Sequence, residues 1–78
     1  MSTLERLREA IANTLKVPAA VITDSTVHTD IAAWDSIGHV NVMMAIEQTF
    51  DIMLDVEDFA RLDSVPSIVA YLREQGIS

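Results

Sequence analysis

Cysteine is absent from the 78 residues. No disulfide can therefore staple the fold, no thiolate can act as a nucleophile, and no Cys-based metal site can form. Basic residues are scarce: five Lys and Arg stand against twelve Asp and Glu, a net charge of -7. None of the five lies between Val17 and Ala60, a stretch that holds Asp24, Asp30, Asp35, Glu47, Asp51, Asp55, Glu57 and Asp58. Arg6, Arg8, Lys16 and Arg73 sit in or beside the terminal segments, and Arg61 is the exception. A field of this sign repels nucleic acid and anionic membranes and attracts a basic protein surface. No apolar run approaches the length of a membrane span. The opening Met1-Ser2-Thr3-Leu4-Glu5 lacks the basic and apolar regions of a secretory signal. A cytoplasmic or other reducing compartment is the resulting expectation. His28 and His39 lie far apart, in no pattern that supplies a nucleophile with its base or a metal with its ligands. The chain is expected to be no enzyme and to hold no metal.

Half of the residues are hydrophobic, and glycine and proline number two each. That composition fits one domain over 1–78 with one small core, burying about 60–65% of the unfolded surface. Ser2-Thr3-Leu4-Glu5 has the form of a capping box, with Glu5 reaching back to the cap. Leu4, Leu7, Ile11 and Leu15 then recur at helical spacing, which predicts a helix over Thr3–Leu15 that shows Arg6, Glu9 and Asn13 to water. Val17-Pro18 ends it, because the residue before proline is pushed out of the helical region. Pro18 to Ala33 reads as a long connection anchored by Val21, Ile22, Val27 and Ile31, with one helical turn near Ala19–Ile22. Past Phe50 the chain turns at Asp51. Asp55 can cap a short helix over Val56–Arg61 that buries Phe59 and Leu62. A last helix runs from Val65 or Ser67 to Glu74, with Pro66 in its first turn and Gly76 as its stop. The fold class is all-α: a small four-helix bundle with three longer helices, one short one and a long first loop. The expected core is Leu7, Ile11, Val42, Ile46, Phe50, Phe59, Ile68 and Leu72.

The chain is organised around Trp34–Phe50, WDSIGHVNVMMAIEQTF. Asp35 and Ser36 are good helix starters, and a helix is predicted from Ser36 to Phe50. Val42, Ala45, Ile46, Thr49 and Phe50 share one arc, while Ile37, Val40 and Met44 fall nearly opposite. Either the helix sits in the middle of the fold or the second stripe is kept exposed for a partner. Trp34 is expected to pin the long loop to the bundle, and His39 to be a part-buried structural residue.

Asp35-Ser36-Ile37, Ala45-Ile46-Glu47 with Phe50 after it, Asp30-Ile31 ahead of it, and the run Phe59, Leu62, Val65, Ile68, Tyr71-Leu72 resemble the acyl carrier protein family of acyl and peptidyl carriers. The likeness covers nearly the whole chain. Gly38-His39 and Asn41 depart from the acidic continuation common in fatty-acid carriers, and Trp34 replaces a small residue. These departures weaken a housekeeping fatty-acid role, while the carrier role stands.

The resemblance implies a covalent 4'-phosphopantetheine, donated by coenzyme A, attached at Ser36, with Asp35 as helix cap and transferase recognition residue. It implies a carrier of acyl or related groups as thioesters on that arm, acting as a monomer. Its partners would be a phosphopantetheinyl transferase and acyl- or aminoacyl-loading and synthase enzymes with basic docking surfaces. Ile37, Val40, Asn41, Met44, Glu47, Gln48, Asp55, Glu57 and Asp58 are the candidate partner-binding residues. The competing account is an unmodified helical adaptor that keeps the fold and acts only through protein contacts.

Overall fold

The computed structural model describes residues 2–77, so Met1 and Ser78 of the expected 1–78 domain lie outside the described residues. Among the described residues four α-helices form: α1 (Thr3–Leu15), α2 (Ser36–Phe50), the short α3 (Val56–Arg61) and α4 (Val65–Glu74). The all-α, four-helix expectation and its element boundaries hold. Ser2 caps α1 by accepting from the Glu5 N–H at 3.1 Å. Glu5 reaches back only as far as the Ser2 hydroxyl, 3.4 Å away. Ser64 and Ser67 exchange hydrogen bonds across the first turn of α4, each accepting from the other's N–H at 3.2 Å. At the far end Gly76 turns left-handed (φ 80°), and the Gly76 and Ile77 N–H groups bond Arg73 and Leu72 carbonyls. This is the reversal that a glycine just past a helix permits.

The core lies where α1, α2 and α4 meet. Leu7, Ile11, Ala12 and Leu15 from α1 pack with Val42, Met43, Ile46 and Phe50 from α2 and with Val65, Ile68 and Leu72 from α4. The loop adds Ile22 and Trp34, and Leu62 closes the group. Two expectations need correction. Phe59 is only half-buried, because a six-residue helix cannot carry it fully under the bundle. Val21 is no anchor: it ends a 3-10 turn over Ala19–Val21 that shows its side chains to water, and Ile22 alone turns inward. Met43 is fully buried, although the two-stripe reading left it unplaced.

The long connection is more ordered than its composition implies. Arg8 of α1 donates to the Ile22 and Ala19 carbonyls and ties down its start. Buried Thr26 accepts from the Thr23 N–H at 2.8 Å. A bridge between Val27 and Ser64 then joins the loop to the start of α4, flanked by Val65 N–H to Thr26 O (2.8 Å) and His28 N–H to Asp63 O (3.0 Å). A second 3-10 turn over His28–Asp30 leads to Trp34. The loop is thereby held on both sides before it delivers Asp35 and Ser36.

Candidate functional site

Ser36 is the first residue of α2 and is exposed. Its hydroxyl is not drawn into the helix cap, because Asp35 takes that position and its carboxylate accepts from the Gly38 N–H at 2.8 Å. Two residues further on, Gly38 is buried against the loop. A Cβ there would lie 2.1 Å from the Ala33 carbonyl oxygen and 3.1 Å from Leu15. The glycine therefore lets the loop backbone cross the first turn of α2, which fixes how Asp35 and Ser36 leave the loop.

Trp34, 2% exposed, is wedged beside this crossing. Its indole N–H donates to His39 Nδ1 at 2.9 Å, and the opposite ring nitrogen, Nε2, meets the Phe59 carbonyl. An indole only donates, so His39 accepts on Nδ1 and donates from Nε2. The His39 ring thus links the loop, α2 and the last part of α3. Both expectations hold: Trp34 pins the loop and His39 is part-buried and structural.

Beside Ser36 opens a groove of about 370 Å³, lined by His28, Trp34, Asp35, Ser36, His39, Phe59, Ala60 and Asp63. His28 and Asp63 form its far rim, with Nε2 and Oδ2 3.7 Å apart. Nothing in the linear sequence pairs these two. The bridge between the loop and the start of α4 brings them together, so His28 carried no functional reading until the fold placed it.

The candidate partner residues divide. Ile37 is 76% exposed, and Val40 and Met44 are 44% and 49% exposed, with Asn41 and Gln48 also open to water. The second stripe is therefore uncovered. Glu47 is partly buried and accepts from the Leu54 N–H at 2.9 Å, which holds the turn after α2. Asp58 accepts from the Asp55 N–H at 3.0 Å and from the Tyr71 hydroxyl at 3.4 Å, and faces Arg61 at 3.7 Å. Asp55 holds the cap position of α3, and the side-chain bond found there is that one from Asp58. Asp55 and Glu57 are the exposed pair. Met53 and Val56, 90% and 86% exposed, extend the apolar surface beyond the residues singled out from sequence. The alternation Ile52 in, Met53 out, Leu54 in was the available signal, since an extended segment sends neighbouring side chains to opposite sides.

The family described as phosphopantetheine attachment site matches residues 5–72. The chain belongs to that family. The match spans the loop, the Asp35-Ser36 start of α2, all of α3 and α4 as far as Leu72. The protein is a phosphopantetheine carrier, and its prosthetic group is covalently held 4'-phosphopantetheine. The residues present fit that group. An exposed hydroxyl that is not the helix cap can take a phosphodiester without uncapping the helix. The N-terminus of a 15-residue helix gives a phosphate a modest favourable field, which the neighbouring Asp35 carboxylate opposes. Carriers of this family are typically not themselves enzymes. Among the described residues, no cluster of His, Asp and Glu could hold a metal ion, and no helix is long and apolar enough to cross a membrane.

Proposed function

We propose that the 4'-phosphopantetheine is attached to Ser36 and that the carrier, one domain over 1–78 acting as a monomer, presents acyl or related groups as thioesters to partner enzymes. The observation that carries this reading is the exposed Ser36 hydroxyl, left outside the cap that Asp35 makes, inside the segment matched by the family. Among the described residues no base is hydrogen-bonded to the Ser36 hydroxyl, and a hydroxyl without such help is a poor nucleophile. The activation comes from a separate transferase with its metal ion. There the Ser36 Oγ–phosphorus bond forms as the pyrophosphate bond of coenzyme A breaks, the adenosine bisphosphate leaves, and the serine proton passes to the transferase. The arm ends in a thiol, which gives a cysteine-free protein its thioester chemistry.

Docking falls to Ile37, Val40, Asn41, Met44 and Gln48 along α2, with Asp55 and Glu57 beside them. Brief contacts with loading and synthase enzymes suit a small apolar patch rimmed by charge. Asn41 leaves the middle of that stripe uncharged, so partners meet it with apolar rather than arginine contacts. Glu47 and Asp58 serve this surface indirectly, by holding the α2–α3 turn and α3 in place.

The test is intact mass after incubation with coenzyme A, Mg²⁺ and a broad-specificity phosphopantetheinyl transferase. One added phosphopantetheine is expected in the native protein and none in Ser36→Ala. A gain that survives in Ser36→Ala moves the attachment point. A folded native protein that gains nothing from two different transferases brings forward the unmodified adaptor.

A further inference from the structure

The short helix α3 has little packing to hold it. It is six residues long, well under the roughly 12–15 that a helix needs to stand alone in water, and none of its side chains is fully buried. Polar ties must therefore supply what packing supplies to α1, α2 and α4. At its start Asp58 accepts from the Asp55 N–H at 3.0 Å and from the Tyr71 hydroxyl of α4 at 3.4 Å. At its end the backbone carbonyls have no partners within the helix. The Leu62 N–H takes the Asp58 carbonyl at 3.0 Å. The next carbonyl, that of Phe59, accepts from Nε2 of His39, 20 positions earlier in the chain. His39 lies in the first turn of α2, directly after the buried Gly38, and its other ring nitrogen accepts the Trp34 indole N–H at 2.9 Å. Among the described residues, His39 is the one side chain hydrogen-bonded both to the segment that delivers Ser36 and to α3.

We infer that His39 is a positioning residue: it clamps the end of α3 to the start of α2, so that an enzyme bound across both helices meets Ser36 at a fixed place. The inference rests on attachment at Ser36. His39 makes no hydrogen bond to the serine and acts through Trp34 and the α3 backbone. Asp35 caps α2 independently, through the Gly38 N–H at 2.8 Å. Loss of the clamp therefore leaves the helix start intact and frees α3, with its exposed Val56 and Glu57, to part from it. A segment with no fully buried side chain sits at the low end of local stability, so the loss of one hydrogen bond changes how often it opens. An enzyme that needs α3 in place then binds in proportion to the fraction of molecules that have it there.

The experiment measures transferase kinetics with coenzyme A on the whole chain, native and as His39→Asn and His39→Gln. Asparagine puts a carbonyl oxygen where Nδ1 stands, so it keeps the indole bond and falls short of Phe59. Glutamine puts an amide nitrogen where Nε2 stands, so it keeps the Phe59 bond. His39→Asn should raise KM about two- to fivefold with kcat unchanged. It should also speed hydrogen exchange at the Leu62 amide and leave Ile11 and Leu72 as slow as in the native protein. His39→Gln should return both readings toward native values. A native KM in folded His39→Asn, equal losses in the two variants, or a fall in kcat alone would overturn the clamp while attachment at Ser36 stands. The native protein offers a check that no folding defect can disturb: nitrogen-15 shifts should place the His39 ring proton on Nε2, and a proton on Nδ1 instead would also overturn the clamp. Failure of the native protein to gain phosphopantetheine at Ser36 would overturn the attachment reading, and the positioning role with it.

Discussion

Gly38 has a backbone neighbour where any other residue would have a Cβ. The clash is with the Ala33 carbonyl, 2.1 Å away, and a backbone oxygen cannot rotate aside as a side chain can. Gly38→Ala is expected to cost about 1–3 kcal/mol, as overpacking of a closed site does, read as a lowered urea midpoint. It should also slow modification, because the loop crossing that presents Asp35 and Ser36 must shift; an unchanged midpoint would deny that the crossing is tight. Tyr71 offers a second single-residue test. Burial and then the Asp58 charge and hydrogen bond raise its phenol above the ordinary value of 10.0. The folded state thus favours the neutral phenol. That contribution is fully present below the unfolded value and is lost as pH rises through the folded one. Alkaline destabilisation should therefore be weaker in Tyr71→Phe. The protein has one tyrosine, so tyrosinate absorbance reports it alone. Asp58→Asn should move that titration back toward the ordinary value, and not fully, since burial, the largest cause, remains.

Helix ends carry a different lesson. The end of α1 was read from Val17-Pro18, yet the chain reverses one residue earlier, at Lys16 in the left-handed region (φ 58°), with Val17 N–H bonding Ala12 O at 3.0 Å. Asp51 does the same after α2 (φ 54°), with Ile52 N–H on Glu47 O at 3.1 Å. Proline stops propagation, but the hydrogen bonds of the reversal choose the residue that turns. A side chain strains this conformation and glycine does not. Lys16→Gly and Asp51→Gly are each expected to stabilise by about 0.5–1 kcal/mol, after the entropic cost of glycine in the unfolded chain, seen as higher urea midpoints. Capping residues and the helical spacing of Leu7, Ile11, Val42, Ile46, Ile68 and Leu72 made the helices legible, because those signals are local. The place of Ser36 at the start of α2 was legible too, from Asp35 and Ser36 as helix starters. The groove was not. It depends on Val27 meeting Ser64 across 37 positions, and no local signal encodes that meeting. Met43 escaped for a related reason: α2 is covered by the loop as well as by α1, so its buried arc is wider than one apolar stripe.

Across the whole molecule, two of the five bases, Arg6 and Arg8, bind backbone carbonyls inside the fold rather than acids. Arg6 donates to the Thr49 carbonyl at 2.7 Å and lies 4.9 Å from the centre of the Phe50 ring, stapling α1 to the end of α2. Arg8 ties down the loop, and Arg61 faces Asp58. Of the acids between Val17 and Ala60, Asp24, Asp30, Asp35, Asp51, Asp55 and Glu57 are exposed, and Asp55 and Glu57 lie in sequence beside exposed Met53 and Val56. Long-range attraction of a basic partner should act through Asp55 and Glu57, and contact itself through Ile37, Val40 and Met44. The two contributions separate by their response to salt, since screening weakens charge steering and leaves apolar contact. Reversing both charges, Asp55→Lys with Glu57→Lys, should lower kcat/KM for transferase modification about tenfold at low ionic strength, with the loss shrinking at high salt. Met44→Ala should lower it by a factor that salt does not change. Met44 is open to water, so the thermal midpoint of Met44→Ala should stay near the native value, while the double reversal, which puts a cation at the cap position of α3, should lower its midpoint modestly. A charge-reversal defect that persists undiminished at high salt would mean that Asp55 and Glu57 make direct contacts in the complex and that the acidic field does not steer the partner.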